Sequence, residues 1–302
     1  MESNEYTATN LVESVQVKTP TWSMVCGEQL LAEIGYHPLV LASFDGLIGN
    51  IQKSELPITL IQAIEQDTDG YPSAAEFFIA KLTDKLIQQF RRYPTVIHRT
   101  MDFKTDDLSL LRGFEFFEAK EAAPDFGMRG MRRYISAEYD FPLCWEFEAC
   151  CRAAKEDKPL GIVFPFVSLP EELSWGLDKL PVKDLVAAGM MVEISSNILQ
   201  ADDFAETLLN WARPHGLRPL FVIGLGDLTQ NLLGASRKDP LMAQFFYKPA
   251  DPLVTQSITH ALTVARQFNI DVGMYASALK EVGQKDIYAA LTFANLLSFV
   301  LE

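Results

Sequence analysis

The stretch Ala188–Ile194 reads AGMMVEI and is followed by Ser195, Ser196 and Asn197. Its apolar residues run on without the alternation of a half-exposed strand. A short continuous apolar run bounded by small polar residues suits a strand buried on both faces, as in a parallel sheet. The carboxylate of Glu193 stands where this strand runs out.

The pattern recurs along the chain. YPTVIHR (Tyr93–Arg99), LGIVFPFV (Leu160–Val167), RPLFVIG (Arg218–Gly224) and NIDVGMY (Asn269–Tyr275) read as further strands. Amphipathic helical patterns lie between them. AAEFFIAKLTDKLIQQFRR places Phe77, Phe78, Leu82, Leu86 and Phe90 on one face, and SITHALTVARQF does so with Ile258, Leu262 and Ala265. Buried strands alternating with helices predict an α/β fold with a parallel sheet covered on both sides. Roughly eight such units favour a (β/α)8 TIM barrel over an open sheet. Residues 1–20 are polar and read as an N-terminal arm, and residues 21–302 as one barrel domain.

Composition narrows the function. The 302 residues carry a net charge of −14, the wrong sign for binding a nucleic-acid backbone or an anionic membrane surface. The opening MESNEYTATN has neither a basic nor an apolar segment of a secretory signal, and no window has the length of a membrane span. A soluble, cytoplasmic protein is expected. Cys26, Cys144, Cys150 and Cys151 show no CxxC or disulfide spacing. Cys144 and Cys151, seven apart in a helical stretch, read as small buried residues on one face. The four histidines, His37, His98, His215 and His260, lack the spacing of a metal site or a catalytic triad.

In a barrel, chemistry sits where the strands end at their C-terminal side. Arg99 ends one strand and is followed by Asp102 and Lys104. Glu193 ends another, and the loop LGDLTQ after the next strand carries Asp227. FGMRGMRRY contributes Arg129, with Arg132 and Arg133 read as surface charges. Glu193 and Asp227 fall about one βα unit apart, on neighbouring strand ends. Paired carboxylates suit a hard divalent cation, and two arginines suit a phosphate or carboxylate. Asp227 as a plain helix cap remains an open alternative.

The stretches EIGYHPLVLASFD, VIHRTMDFKTDDL, APDFGMRGMRRY, GIVFPFV, MMVEISSNILQADDFA and FVIGLGDLTQNLLGASRKD, in this order, resemble the C-terminal barrel of phosphoenolpyruvate (PEP)-utilising enzymes, most of all the PEP synthase type. The resemblance runs from about Met24 to Phe299. It implies binding of PEP, pyruvate or a related 2-oxo acid with Mg²⁺ or Mn²⁺. The metal-binding acids would be Glu193 and Asp227, and the phosphate-binding arginines Arg99 and Arg129, with Glu28 and Asp102 on the substrate side. It also makes a homodimer plausible.

Three departures qualify this expectation. Cys26 stands where the family's first strand has an arginine, although the glutamate two residues on is kept as Glu28. Gly226 replaces an asparagine that helps orient the substrate. Tyr275 occupies the position of the family's catalytic cysteine. A phenol titrates near 10, against about 8.5 for a thiol, and so is the poorer proton donor to an enolate. Tyr275 is either a plug, a substitute acid, or displaced from that position. The nucleotide-binding and phosphohistidine domains of full-length PEP synthases do not fit in this chain, so a separate chain would have to supply them for PEP synthesis. The expectation is a stand-alone barrel that binds its ligand but is altered or inactive in PEP synthesis. An active Mg²⁺-dependent lyase or transferase using Tyr275 as acid and a non-catalytic scaffold are the alternatives.

Overall fold

The computed structural model describes residues 22–136, 139–155, 159–275 and 296–300. The N-terminal arm lies outside the described residues, and so does the side chain of Tyr275.

β1 (Trp22–Cys26) leads into α1 (Gly27–Ile34), α2 (Pro38–Phe44), α3 (Ile58–Asp67) and α4 (Ala74–Phe90). β2 (Thr95–Arg99) is followed by α5 (Thr105–Leu108), α6 (Met131–Ile135) and α7 (Asp140–Ala154). After β3 (Leu160–Phe164) comes α8 (Pro170–Leu177), and after β4 (Ala187–Val192) come α9 (Ser195–Leu199) and α10 (Ala201–His215). β5 (Arg218–Ile223) precedes α11 (Leu225–Leu233), α12 (Pro240–Phe245) and α13 (Pro252–Phe268). β6 (Asp271–Tyr275) and β7 (Leu296–Val300) complete the described strands.

The seven described strands are all parallel and close into a barrel in sequence order, β7 pairing back onto β1. Side chains alternate across each strand. Trp22, Met24, Ile97, Val163, Met191, Leu220 and Val222 fill the interior. Their neighbours Val25, Val96, Ile162, Met190 and Phe221 point outward and pack against the helices. Both faces are therefore apolar, which is why the strands read as continuous apolar runs. Each fully buried Leu, Ile or Phe contributes about 1.5–3 kcal/mol.

Helix boundaries follow from local chemistry. Ser73 caps α4 by accepting the Glu76 N–H at 3.0 Å. Its face carries Phe77, Phe78, Leu82, Leu86 and Phe90, all buried, with Phe78 against Trp145 of α7. Asp251 caps α13 through the Leu253 N–H at 2.9 Å, with Pro252 at the first helical position.

Two expectations need correction. LGIVFPFV does not run as one strand to Val167: β3 ends at Phe164, because Pro165 has no N–H for the ladder and Phe166 turns to φ +53°. On α7, Cys144 is exposed and Cys151 only partly covered, whereas Cys150 is buried. The inward face runs through Leu143, Phe147, Cys150 and Ala154, and a 3.6-residue period leaves 144 and 151 beside it.

β4 and β5 approach so closely that a Cβ on Gly189 would lie 1.7 Å from the Leu220 carbonyl oxygen. Gly189→Ala should destabilise the protein by about 1–3 kcal/mol, read as a lower urea midpoint. An unchanged midpoint would mean that these strands can part without cost.

Candidate anion and metal site at the barrel mouth

The charged residues singled out in the sequence converge where the strands end. Cys26 and Arg99 are register partners at the ends of β1 and β2. Glu28, in the first turn of α1, forms an ion pair with Arg99. Its second carboxylate oxygen is buried and has no hydrogen-bond partner. Asp102 comes from the connection after β2, and Arg129 from the connection leading into α6. Asp227 lies in the first turn of α11.

Arg129 is the centre of the group. It is buried and grips Asp102 in two bonds, Nε to Oδ1 at 3.0 Å and Nη2 to Oδ2 at 2.5 Å. Its Nη1 donates to Asp227 at 3.3 Å, and its guanidinium lies 3.9 Å from the centre of the Phe166 ring. Asp227 also accepts from Arg237 at 3.4 Å. Gly224, not Asp227, stands at the cap position of α11, and no side chain caps that helix. The simple capping role for Asp227 is therefore not what the fold uses.

Glu193 sits deeper, 1% exposed, at the end of β4. Gly224 of the next unit makes room for it, since a Cβ there would lie 2.6 Å from Glu193 Oε2. The Phe166 N–H donates to Glu193 Oε1 at 2.7 Å. Phe166 thus spends a left-handed backbone conformation, uncommon for a bulky residue, on two contacts: its amide holds Glu193 and its ring floors Arg129. Asn197 secures the same turn by accepting from the Glu193 and Ile194 amides at 3.0 and 3.1 Å.

Burial pushes the Glu193 carboxyl up from its ordinary 4.5 to about 8, and the charges of Asp102 and Asp227 add to this. Arg99 and Arg129 pull the other way without cancelling the rise. Among the described residues, no group of three or more His, Cys, Asp or Glu side chains is arranged to hold a metal ion.

Glu28, Arg99, Asp102, Arg129 and Asp227 line one cavity of about 170 Å³, with Arg237 at its edge. Tyr275 ends β6, its backbone paired with Phe299 of β7. The readings of its phenol lie outside the described side chains.

The sequence reading missed several participants. Phe166 looked like strand interior. Arg237 lies in a polar loop with nothing local to mark it. A Cβ on Gly226 would meet Arg237 Nη1 at 2.0 Å, so this guanidinium lies over the glycine, where any side chain at 226 would have to displace it. Arg133 is not a surface charge: it is buried, bonding Glu118, Thr105 Oγ1 and the Met128 carbonyl. Arg132 is half-exposed, near Glu172.

Residues 59–283 match the family described as PEP-utilising enzyme, PEP-binding domain. The chain belongs to that family. It is 30% identical over 255 residues to a phosphoenolpyruvate synthase of Pseudomonas aeruginosa, covering 80% of this chain and 29% of that protein. For the Escherichia coli phosphoenolpyruvate synthase the identity is 29% over 252 residues, covering 80% and 29%. For that of Aeropyrum pernix it is 32% over 238 residues, covering 74% and 24%. The chain thus spans under a third of the length of these relatives. A HpcH/HpaI aldolase/citrate lyase family protein from Burkholderia cenocepacia aligns over 98% of this chain and 92% of that one, at 11% identity and a TM-score of 0.42. The parallel strand pairing by itself shows the barrel.

In chelated, metal-free protein Glu193 has a testable signature. Between its ordinary 4.5 and about 8, the unfolded chain releases this proton while the folded one keeps it. Stability therefore falls as pH rises across that window. Glu193→Gln is neutral throughout and should flatten the fall, measured by urea unfolding at pH 5 and pH 7.5. A variant retaining the parent's slope would show that Glu193 ionises in the folded state.

Proposed function

We propose that this family member is a divergent (β/α)8 barrel of the PEP/pyruvate type, and that its mouth binds PEP, pyruvate or a related small 2-oxo acid together with Mg²⁺. The observation that carries this reading is the small cavity in which Arg99, Arg129 and Arg237 meet Glu28, Asp102 and Asp227. Its volume, about 170 Å³, suits a metabolite of a few heavy atoms and is well below the roughly 300–1,000 Å³ of drug-sized pockets.

The residues present fit a divalent cation. Mg²⁺ needs one or two carboxylates and keeps several waters; Asp227, in the first turn of α11 and lining the cavity, and Glu193, buried just after β4, come from successive units. The buried Glu28 oxygen without a hydrogen-bond partner is open to a donor or a cation, and a cation reaching Glu193 would take the place of the proton that burial keeps on it. When bound, the metal would polarise the ligand's oxygens as a Lewis acid. Arg99 would hold the ligand's anionic group. Arg129, released from Asp227, would turn to the same group while Asp102 keeps it oriented.

Ligand preference should differ from that of the family. With Cys26 in place of an arginine, the phosphate end is less strongly held, so a carboxylate or 2-oxo acid is favoured over PEP. PEP synthesis is not the reaction proposed for this chain by itself. Its role is ligand binding, with Tyr275 at the position from which any proton transfer to the ligand would be made.

The test is thermal melting with and without Mg²⁺ and oxalate, an enolate mimic. A ligand at 100 times its dissociation constant adds about 2.7 kcal/mol to stability. The shift should require both metal and anion, exceed that given by PEP at equal concentration, and vanish in Asp227→Asn. Oxalate and Mg²⁺ that leave the melting temperature unmoved, or a full shift in Asp227→Asn, would sink this assignment.

A further inference from the structure

Two polar networks adjoin the connections that carry Asp102 and Arg129 without lining the cavity, and neither has a role in the reading above. One joins His98, Tyr134 and Glu146, all essentially buried. His98 Nε2 lies 2.6 Å from Glu146 Oε2, and the Tyr134 hydroxyl donates to the other oxygen of that carboxylate. The network ends on a backbone amide: the Met101 N–H is 2.8 Å from Tyr134 Oη and 3.2 Å from Glu146 Oε2. Met101 is the residue before Asp102.

The other network is built on Arg133. Its Nη1 bonds Glu118 and the Tyr139 hydroxyl, the latter at 2.9 Å. Its Nη2 donates to Thr105 Oγ1 at 3.1 Å and to the Met128 carbonyl at 2.7 Å. Glu121 takes the Met128 N–H at 2.9 Å, so both backbone polar groups of Met128 are fixed. Met128 is the residue before Arg129.

Arg133 and Tyr134 are adjacent on α6, where successive side chains point about 100° apart. One short helix therefore reaches two different connections. Each is held at the residue just before one member of the Arg129–Asp102 pair.

We propose that Arg133 and Tyr134 are positioning residues: α6 is a strut that sets the separation and register of Arg129 and Asp102. Neither residue touches the cavity. Each acts through a backbone group one residue away from a side chain that does. Side chains that support a metal or anion site at one remove typically contribute about 10–100-fold to its affinity. The bland alternative is a pair of core polar residues that satisfy one another and support the fold at large. The two accounts differ in where a loss is felt.

The experiment is peptide-resolved amide hydrogen exchange on the full chain, with Mg²⁺–oxalate affinity measured on the same samples. Tyr134→Phe should speed exchange in the 100–104 segment, and Arg133→Gln should speed it in 126–130. β3, β4 and β5 should keep the parent's protection in both. Affinity should fall about tenfold in each, and Arg133→Lys, which keeps a donor and the charge, should recover part of it. If Tyr134→Phe does not fold, Glu146→Gln asks the same question of the same amide. Accelerated exchange through the whole barrel, or parental exchange in both segments, would overturn the strut. The affinity arm rests on the proposed function and the exchange arm does not. A parent that binds no oxalate with Mg²⁺ would therefore refute the ligand reading, and the exchange pattern would still decide the strut.

Discussion

Two parallel bonds between a guanidinium and a carboxylate, Arg129 on Asp102, set where the rest of the barrel mouth stands. Both groups are buried, and a buried ion pair is stable only when its geometry is good and its remaining hydrogen-bonding positions are filled. Here Asp227 takes a further arginine N–H and the Phe166 ring supplies the floor. Meeting those demands constrains four connections at once. The link after β2 brings Asp102, the one into α6 brings Arg129, the turn after β3 brings Phe166, and α11 brings Asp227. Glu193 is then enclosed behind this group, and enclosure is what keeps its proton on.

Much of this was legible because barrel architecture gathers the residues that follow its strands at one end. Continuous apolar runs marked β2 to β6, and the polar residue ending or following each run named Arg99, Asp102, Glu193 and Asp227. The helix α4 was readable because Phe77, Phe78, Leu82, Leu86 and Phe90 share one period. What stayed hidden depends on contacts between distant segments. Phe166 carries an aromatic side chain in an apolar run, and nothing in the run announces a positive φ or an amide aimed at Glu193. Arg133 looked like one charge among several in MRRY, since its partners Glu118 and Tyr139 come from elements that periodicity cannot bring together. Cys144 was misjudged for a simpler reason: seven-residue spacing puts it on the same side as Cys151 without saying which side faces the core.

The mouth is packed with charge at close quarters. Gly226 carries no side chain, and Arg237 lies in the space above it and bonds Asp227. Glu28 pairs with Arg99 through one carboxylate oxygen, and its other oxygen is buried without a hydrogen-bond partner. This crowding separates it from a barrel whose mouth has simply been filled with apolar side chains.

The cavity carries its own counter-ions. Every arginine lining it has a carboxylate beside it, so an anion entering there would replace a protein carboxylate and not merely water, and a cation would likewise replace a guanidinium. Binding at such a place would be ion exchange. The free energy gained would be a difference between two similar pairings, and occupancy would follow changes in ligand concentration instead of saturating at trace levels. Selectivity would come from whichever ion reproduces the geometry of the partner it displaces.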